Sequence, residues 1–477
     1  MPVITLYEDR FSSFVGRPLT VEEMVKWLPW LGVDIEETGP DYVKVEFNPN
    51  RIDLSSYAGM ARAFCGLRGW KTGLPSYKVR EGDITLTVDP KVSKVRPYVV
   101  GAAVRDLALD DDSVRELMEM QEDIHWGVGR DRRKVSIGVH NLDAVQLPFT
   151  YTTGEPDAVR FIPLDKTEEM SLKEILDRHE KGVTYRHLME GFAEYPLIVD
   201  RRGEILSFPP IINGELTRVS RQTKNLFIDV TGLDFKAINW GLNILVTALA
   251  DMGGSIESVQ VKYPNRTFVC PDLNPLRMRM RVDYARRMLG LRLSEAKVVE
   301  SLRRSRLGVE RVGQGVLEVS VPAYRIDIMH EIDLVEEVAI GYGFFRLKPT
   351  KPRTVTTGKE HRASEVAKYA RETMIGLGYA EVMNLILTNE ADHYEKMRLE
   401  IEKPVKLANP VSAEYSIVRN SLLPSLMKNL ADNKHESYPQ QIFEVSDVIR
   451  PNPRRETCTE RRLHVAGVSC HATANFT

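Results

Sequence analysis

Cysteine is scarce in this chain. Four occur in 477 residues, Cys65, Cys270, Cys458 and Cys470. So few and so scattered, they exclude a disulfide framework and suit a reducing cytosol, so a cytoplasmic setting is expected. A run of about 18 apolar residues, which a membrane-crossing helix needs, is also missing, so no membrane association is expected. The opening Met1-Pro-Val-Ile-Thr-Leu-Tyr-Glu-Asp9 lacks the basic-then-apolar order of a secretory signal. Charge excess is absent too: 65 Lys and Arg stand against 67 Asp and Glu, a formal net charge of -2. Such a chain does not advertise nucleic-acid binding, so any RNA contact must come from local patches or from a partner. There is no internal repeat and no long low-complexity tract. Cys458, His464, Cys470 and His471 lie close together, but their spacing matches no common zinc pattern. Leu463–Cys470 reads instead as a buried strand.

What is present is ordinary globular material, with 43% hydrophobic residues, enough for about three or four domains. Residues 1–85 read as an N-terminal α+β domain. Thr20 opens a helix with Glu22 and Glu23 behind it. Tyr42–Phe47 alternates as a strand, and Asn48-Pro-Asn-Arg51 is turn chemistry. Leu54–Leu67 has helical periodicity, with Asn50, Arg51 and Asp53 as a turn network capping it. Residues 86–265 form the largest unit. Its strands are expected at Val99–Val104, Val135–Val139, Pro196–Asp200, Glu204–Ser207 and Leu226–Thr231. Its helices are expected at Ser113–His125 and Ala237–Met252, the latter stopped by Gly253-Gly254. Residues 268–350 form a small helix–strand domain, with helices closed by Gly290 and opened by Ser294. Lys348–Arg353 is a proline-stiffened linker, and residues 355–477 are the last unit, with a helix at Ala363–Leu377.

Three groups of residues could carry chemistry. The strand Val316–Val321 leads toward Asp327, and a helix beyond it carries Asp333, Glu336 and Glu337 at i, i+3 and i+4, on one face. Such carboxylates suit a hard divalent cation, and acids in a first helical turn also simply complement the helix dipole. In the large unit, Gly127-Val-Gly129 with Arg130, Arg132, Arg133 and Lys134 makes an anion-attracting loop, or else a solvated turn. Ser207, Asn213 and Thr231 can hydrogen-bond a small ligand beside the stiff Phe208-Pro-Pro210, and His140 is a candidate base or a structural histidine.

Three ordered stretches carry a family resemblance. They are Tyr324-Arg-Ile-Asp-Ile-Met-His-Glu-Ile-Asp-Leu-Val-Glu-Glu337 with Tyr342-Gly343, Phe47-Asn-Pro-Asn-Arg-Ile-Asp-Leu54 running on to Arg62, and Asn409-Pro-Val-Ser-Ala-Glu-Tyr-Ser-Ile-Val-Arg-Asn-Ser-Leu-Leu-Pro-Ser-Leu426. Together the chain resembles the β subunit of phenylalanyl-tRNA synthetase, of archaeal or eukaryotic type. The resemblance implies an α+β multidomain fold: a mixed α/β editing-type domain, a small helix–strand domain, and a class II synthetase-like antiparallel module. It implies a ligase of two α and two β subunits that joins phenylalanine to tRNA-Phe with ATP, the active site lying on the α subunit. This chain would supply hydrolytic editing of tyrosyl-tRNA-Phe.

The need for editing is physical. A phenylalanine pocket rejects one added hydroxyl poorly, whereas a second site built to hydrogen-bond that hydroxyl reverses the discrimination. The resemblance makes Ser207, Asn213, Asp229 and Thr231 candidates for recognising the amino acid. Arg133 and His140 are candidates for holding the tRNA end or positioning water. His140, Asp229 and Thr231 stand nearest the hydrolysis, and Arg133, Ser207 and Asn213 nearest binding. The resemblance also implies Mg2+ near the α-subunit interface on Asp327, Asp333, Glu336 and Glu337, with fewer than four direct ligands because magnesium keeps several waters. An active class II site needs an arginine on its second-motif strand, where this chain has Phe443-Glu444-Val445. The family's module normally continues beyond the position of Thr477. Two rival readings stand beside this one: a structural partner with an inert pocket, and a freestanding metal-dependent hydrolase built on the acidic cluster.

Overall fold

The computed structural model describes residues 2–352 and 355–472. Arg353 of the linker and the end at Thr477 lie outside the described residues. The fold is α+β and divides into two compact units, Met1–Pro349 and Thr350–Thr477. Among the described residues no helix is long and apolar enough to cross a membrane.

The first unit begins with a three-stranded sheet, ordered Val3–Tyr7, Tyr42–Glu46, Asp34–Thr38. Thr20 caps the helix Val21–Trp27 by accepting from the Glu23 amide at 3.3 Å. The helix expected from Leu54 starts only at Tyr57. Pro49–Leu54 winds into a 3-10 turn, and Ser56 supplies the cap, accepting from the Gly59 amide at 3.0 Å. Arg51 and Asp53 pair with each other instead, Nε to Oδ1 at 2.9 Å.

A ten-stranded mixed sheet dominates this unit. Its path runs Ile212–Asn213, Ile205–Phe208, Tyr195–Val199, Phe149–Gly154, Val79–Val88, Ser255–Tyr263, Tyr98–Arg105, Leu226–Gly232, Val135–Asn141, with Arg266–Cys270 paired to Ser255–Tyr263. Val79–Val88 therefore belongs to this sheet. A division at residue 85 would cut a strand whose ladder runs alongside Ser255–Tyr263, and one at 265–268 would cut the hairpin that ends at Cys270. One continuous apolar core joins the N-terminal layer to the sheet, from Phe11 and Phe64 through Val100, Ile228 and Leu245. The helix Phe235–Asp251 packs on it with eleven buried positions. That face is too broad for a surface helix and marks a core element.

The strands Leu276–Arg281, Val316–Val321 and Gly308–Gly313 form a small sheet with its own core around Met280, Leu302, Leu317 and Val338. The helix Val282–Leu289 ends at Gly290 with φ 66°, a left-handed position that glycine adopts without strain.

The second unit centres on a long hairpin, Gln440–Pro451 against Thr459–Cys470. The latter strand was expected to be buried, but its side chains alternate into solvent, with Leu463 and Val465 exposed. Helix Arg362–Gly376 covers Phe443 and Val445. Arg419 and Glu444 are fully buried and joined at 2.7 Å, and Asn384 Nδ2 donates to the other carboxylate oxygen at 2.8 Å. Removing one partner strands the other as an isolated charge. Arg419→Met is expected to destabilise this unit by about 3–5 kcal/mol, read as lost hydrogen-exchange protection along Gln440–Pro451. Unchanged protection would show that the pair contributes nothing there.

Candidate functional site

The two ends of the large sheet's path curl toward each other. Asn213, on the strand at one end, donates through Nδ2 to the Val139 carbonyl on the strand at the other, at 3.2 Å. Between these strands lies a cavity of about 360 Å³, with Ser136, Gly138, Ser207, Asn213, Thr217 and Asp229 among its lining. That size suits an aminoacyl group or a small ligand.

Alternation explains the polar wall. Leu226–Gly232 pairs with Val135–Asn141 so that Asp229 faces Gly138, Phe227 faces His140 and Thr231 faces Ser136. Opposed residues share a face of the sheet. With no side chain at Gly138, Asp229 reaches across to His140, Oδ2 to Nε2 at 2.7 Å. His140 Nδ1 meets Thr217 Oγ1 at 2.8 Å. All three side chains are buried. Ser207 Oγ is buried against the cavity and has no hydrogen-bond partner among the described residues. An unpaired buried hydroxyl costs about 1–3 kcal/mol, so a ligand that pairs it gains that much discrimination.

The structure brings Ser207, Asn213 and Asp229 onto one cavity. It places His140 behind Asp229 rather than on the cavity wall. Thr231 shares Asp229's face but is spoken for: Arg96 Nε donates to its Oγ1 at 2.9 Å and Arg96 Nη2 to its carbonyl at 2.8 Å. Arg132 and Arg218 line the cavity, and Arg133 does not. Arg133 is exposed, and its carbonyl accepts from Arg96 Nη1 at 3.1 Å. Arg132 is buried, donates to the Ile211 carbonyl at 2.8 Å and to Glu122 at 2.6 Å, and stacks 4.5 Å from the Tyr185 ring. This loop holds Arg130, Asp131 and Arg132 at φ 48°, 52° and 63°. Such left-handed non-glycine backbone costs about 1–3 kcal/mol per residue and persists only where its surroundings over-determine it. Arg96 and Arg132 supply that restraint. Sequence reading singled out none of Arg96, Gly138 and Thr217, because their roles depend on partners on other strands.

Charge at the rim is balanced. Burial opposes ionisation of Glu122, but His125, Arg132 and Lys181 outweigh it and hold the carboxyl below its ordinary range. His125 is wholly buried, which lowers it to about 4. Its neutral Nε2 accepts from the Ile137 amide at 2.8 Å.

At the acidic cluster, Asp327 lies beyond the strand Val316–Val321, in the segment leading to helix Glu331–Tyr342. Arg325 bridges Asp327, at 2.7 and 2.9 Å, and Glu337. Asp333 Oδ2 accepts from the Met329 and His330 amides at 2.8 and 2.7 Å as part of a capping box. Glu336 is exposed, and its carboxyl is raised by partial burial and then by the charges of Glu337, Asp327 and Asp333. Oxygen donors of this kind match magnesium chemically. Among the described residues, however, no group of three or more His, Cys, Asp or Glu is arranged to hold a metal, because Arg325 already neutralises the inner pair.

Two family models match: the phenylalanyl tRNA synthetase beta chain CLM domain over residues 347–476, and the tRNA synthetase B5 domain over residues 278–344. The phenylalanine–tRNA ligase β subunit of Methanothrix thermoacetophila is 45% identical over 100% of this chain and 87% of its own length. That of Archaeoglobus fulgidus is 45% identical over 100% of this chain and 85% of its own length. A crystal structure of an N-terminal fragment of the Pyrococcus horikoshii phenylalanyl-tRNA synthetase β subunit matches with TM-score 0.69 and 39% identity, covering 72% of this chain and 99% of the fragment. Fold and matches together define an aminoacyl-tRNA synthetase subunit. The chain belongs to the phenylalanine–tRNA ligase β-subunit family, in its archaeal form.

Because the folded state depresses His125 from 6.5 to about 4, the unfolded chain binds the extra proton between those values. This contribution to stability is complete above pH 6.5 and is lost as pH falls through about 4. Urea midpoints measured across that window should fall more steeply for the native chain than for His125→Gln. Parallel slopes would remove His125 from the account.

Proposed function

We propose that this chain is the β partner of a phenylalanine–tRNA ligase and that its cavity hydrolyses tyrosine from mischarged tRNA-Phe. The observation that carries the reading is a cavity lined by both the unpaired Ser207 hydroxyl and the Asp229 carboxylate. A tyrosyl ring brings a hydroxyl that can pair with such groups. A phenylalanyl ring leaves them desolvated and alone, which favours tyrosine as the substrate. Water is the nucleophile, and no protein nucleophile is required. Ser207 and Asp229 recognise the amino acid, Asn213 holds the cavity's two edges together, and Arg132 shapes the mouth toward the tRNA end. Synthesis of phenylalanyl-tRNA from ATP, phenylalanine and tRNA-Phe belongs to the α subunit. Exposed apolar residues on the second unit, among them Met383, Leu385, Leu377 and Val411, support an α-subunit partner there, in an assembly of two α and two β chains.

Magnesium at the acidic cluster belongs to the same proposal. Its support is the donor chemistry and the like-charge crowding around Glu336, with Asp333 and Glu336 the carboxylates that Arg325 does not take.

Deacylation of tyrosyl-tRNA-Phe by the chain, with and without its α partner, tests the central claim against phenylalanyl-tRNA-Phe. Selective tyrosine release is expected, reduced roughly ten-fold or more by Ser207→Ala. No release with the partner present would leave a scaffold subunit with an inert pocket. Calorimetric titration with MgCl2 should show binding that Glu336→Gln weakens at least about ten-fold. An absence of heat in the assembled complex would reject the ion site.

A further inference from the structure

We propose that His140 is a positioning residue for substrate discrimination, acting on the substrate only through Asp229. The inference rests on the deacylase reading above. His140 is 0% exposed, so no substrate atom reaches its ring. Its two nitrogens are both engaged, Nε2 with Asp229 Oδ2 at 2.7 Å and Nδ1 with Thr217 Oγ1 at 2.8 Å. A carboxylate only accepts, so Nε2 carries the proton and donates it to Asp229. Nδ1 meets the Thr217 hydroxyl, which also lies 3.2 Å from the Gly214 carbonyl. The ring lies nearly parallel to Phe227, at 6.1 Å and 27°. It is therefore held by polar contacts at both nitrogens and by a flat apolar neighbour.

The contact exists because of one missing side chain. A Cβ on Gly138 would stand 2.2 Å from Asp229 Oδ2 and 2.6 Å from His140 Nε2. The strand register places Gly138 directly opposite Asp229, so the carboxylate lies across the gap and docks on the imidazole. Without that anchor the carboxylate would turn about its terminal torsion, which is broad and soft, and find other donors. With Oδ2 held, Asp229 stays a fixed acceptor on the cavity wall. A tyrosyl hydroxyl can donate to such an acceptor, and a phenylalanyl ring has nothing to donate.

The test uses the full chain with its α partner and compares kcat/KM for deacylation of tyrosyl-tRNA-Phe and phenylalanyl-tRNA-Phe. In His140→Leu the preference for tyrosine should fall roughly ten- to hundred-fold, through loss on the tyrosyl substrate alone. His140→Gln, whose amide can still donate to Asp229, should recover much of that preference. Gly138→Ala should reproduce the Leu defect by displacing the carboxylate without removing any polar group, and it carries the test if the Leu chain does not fold. His140→Leu combined with Asp229→Asn should lose no more than either change alone. A natively melting His140→Leu chain that keeps its discrimination would overturn the proposal and leave the deacylase reading intact. An equal loss on both substrates in His140→Gln would overturn it in favour of a direct chemical role. Failure of the unaltered complex to release tyrosine would instead overturn the reading on which it rests.

Discussion

Asp229 is a carboxylate held at 1% exposure on the next-to-last strand of the large sheet's path, and the architecture around it compensates that burial. An unpaired charge at such depth costs several kcal/mol, so its neighbours are constrained to donors and to space. Gly138 supplies the space, and His140, backed by Thr217, supplies the donor. Arg96, buried and lowered to about 10 by that burial, still feels the Asp229 charge from the far side of Thr231. The same Arg96 ties down the left-handed loop that turns Arg132 inward. The carboxylate, the cavity and Arg132 thus form one mechanical unit.

Buried arginine paired with carboxylate recurs elsewhere in the chain with different surroundings. Arg325 bridges Asp327 and Glu337 next to the Arg51–Asp53 pair. Arg419 holds Glu444 in the second unit. Such pairs gain little net stability over apolar packing, but breaking one is costly, so each fixes a single arrangement of the strands and turns that carry it. In the second unit Glu444 is consumed by Arg419. In the acidic cluster the inner carboxylates are likewise consumed, while Glu336 stays exposed and crowded by like charge.

Local order was legible in the chain itself. Helix starts at Thr20 and Ser294, the stop at Gly290, and the strands expected at Val135–Val139 and Leu226–Thr231 follow from side-chain chemistry within a few residues. So did the shared face of Asp333, Glu336 and Glu337, and the family, whose three signatures are local runs of residues. The helix expected from Leu54 shows the limit: periodicity continued upstream, but a 3-10 turn and the Ser56 cap moved the start to Tyr57.

Tertiary structure decided which of the polar residues form a site. Alternation puts Thr231 on Asp229's face, yet Arg96, 135 positions away, claims its hydroxyl. A loop has no period to tell Arg132 from Arg133, and the inward turn depends on carbonyls at Pro210 and Ile211 and on Glu122. Asn213 was legible as a hydrogen-bonding residue, but its role in closing the cavity arises only when the sheet curls its two ends together. Residue types and short spacings carry the information for elements and faces, because those depend on neighbours in the chain. Enclosure depends on strands far apart in sequence, and only the folded sheet brings them within hydrogen-bonding distance.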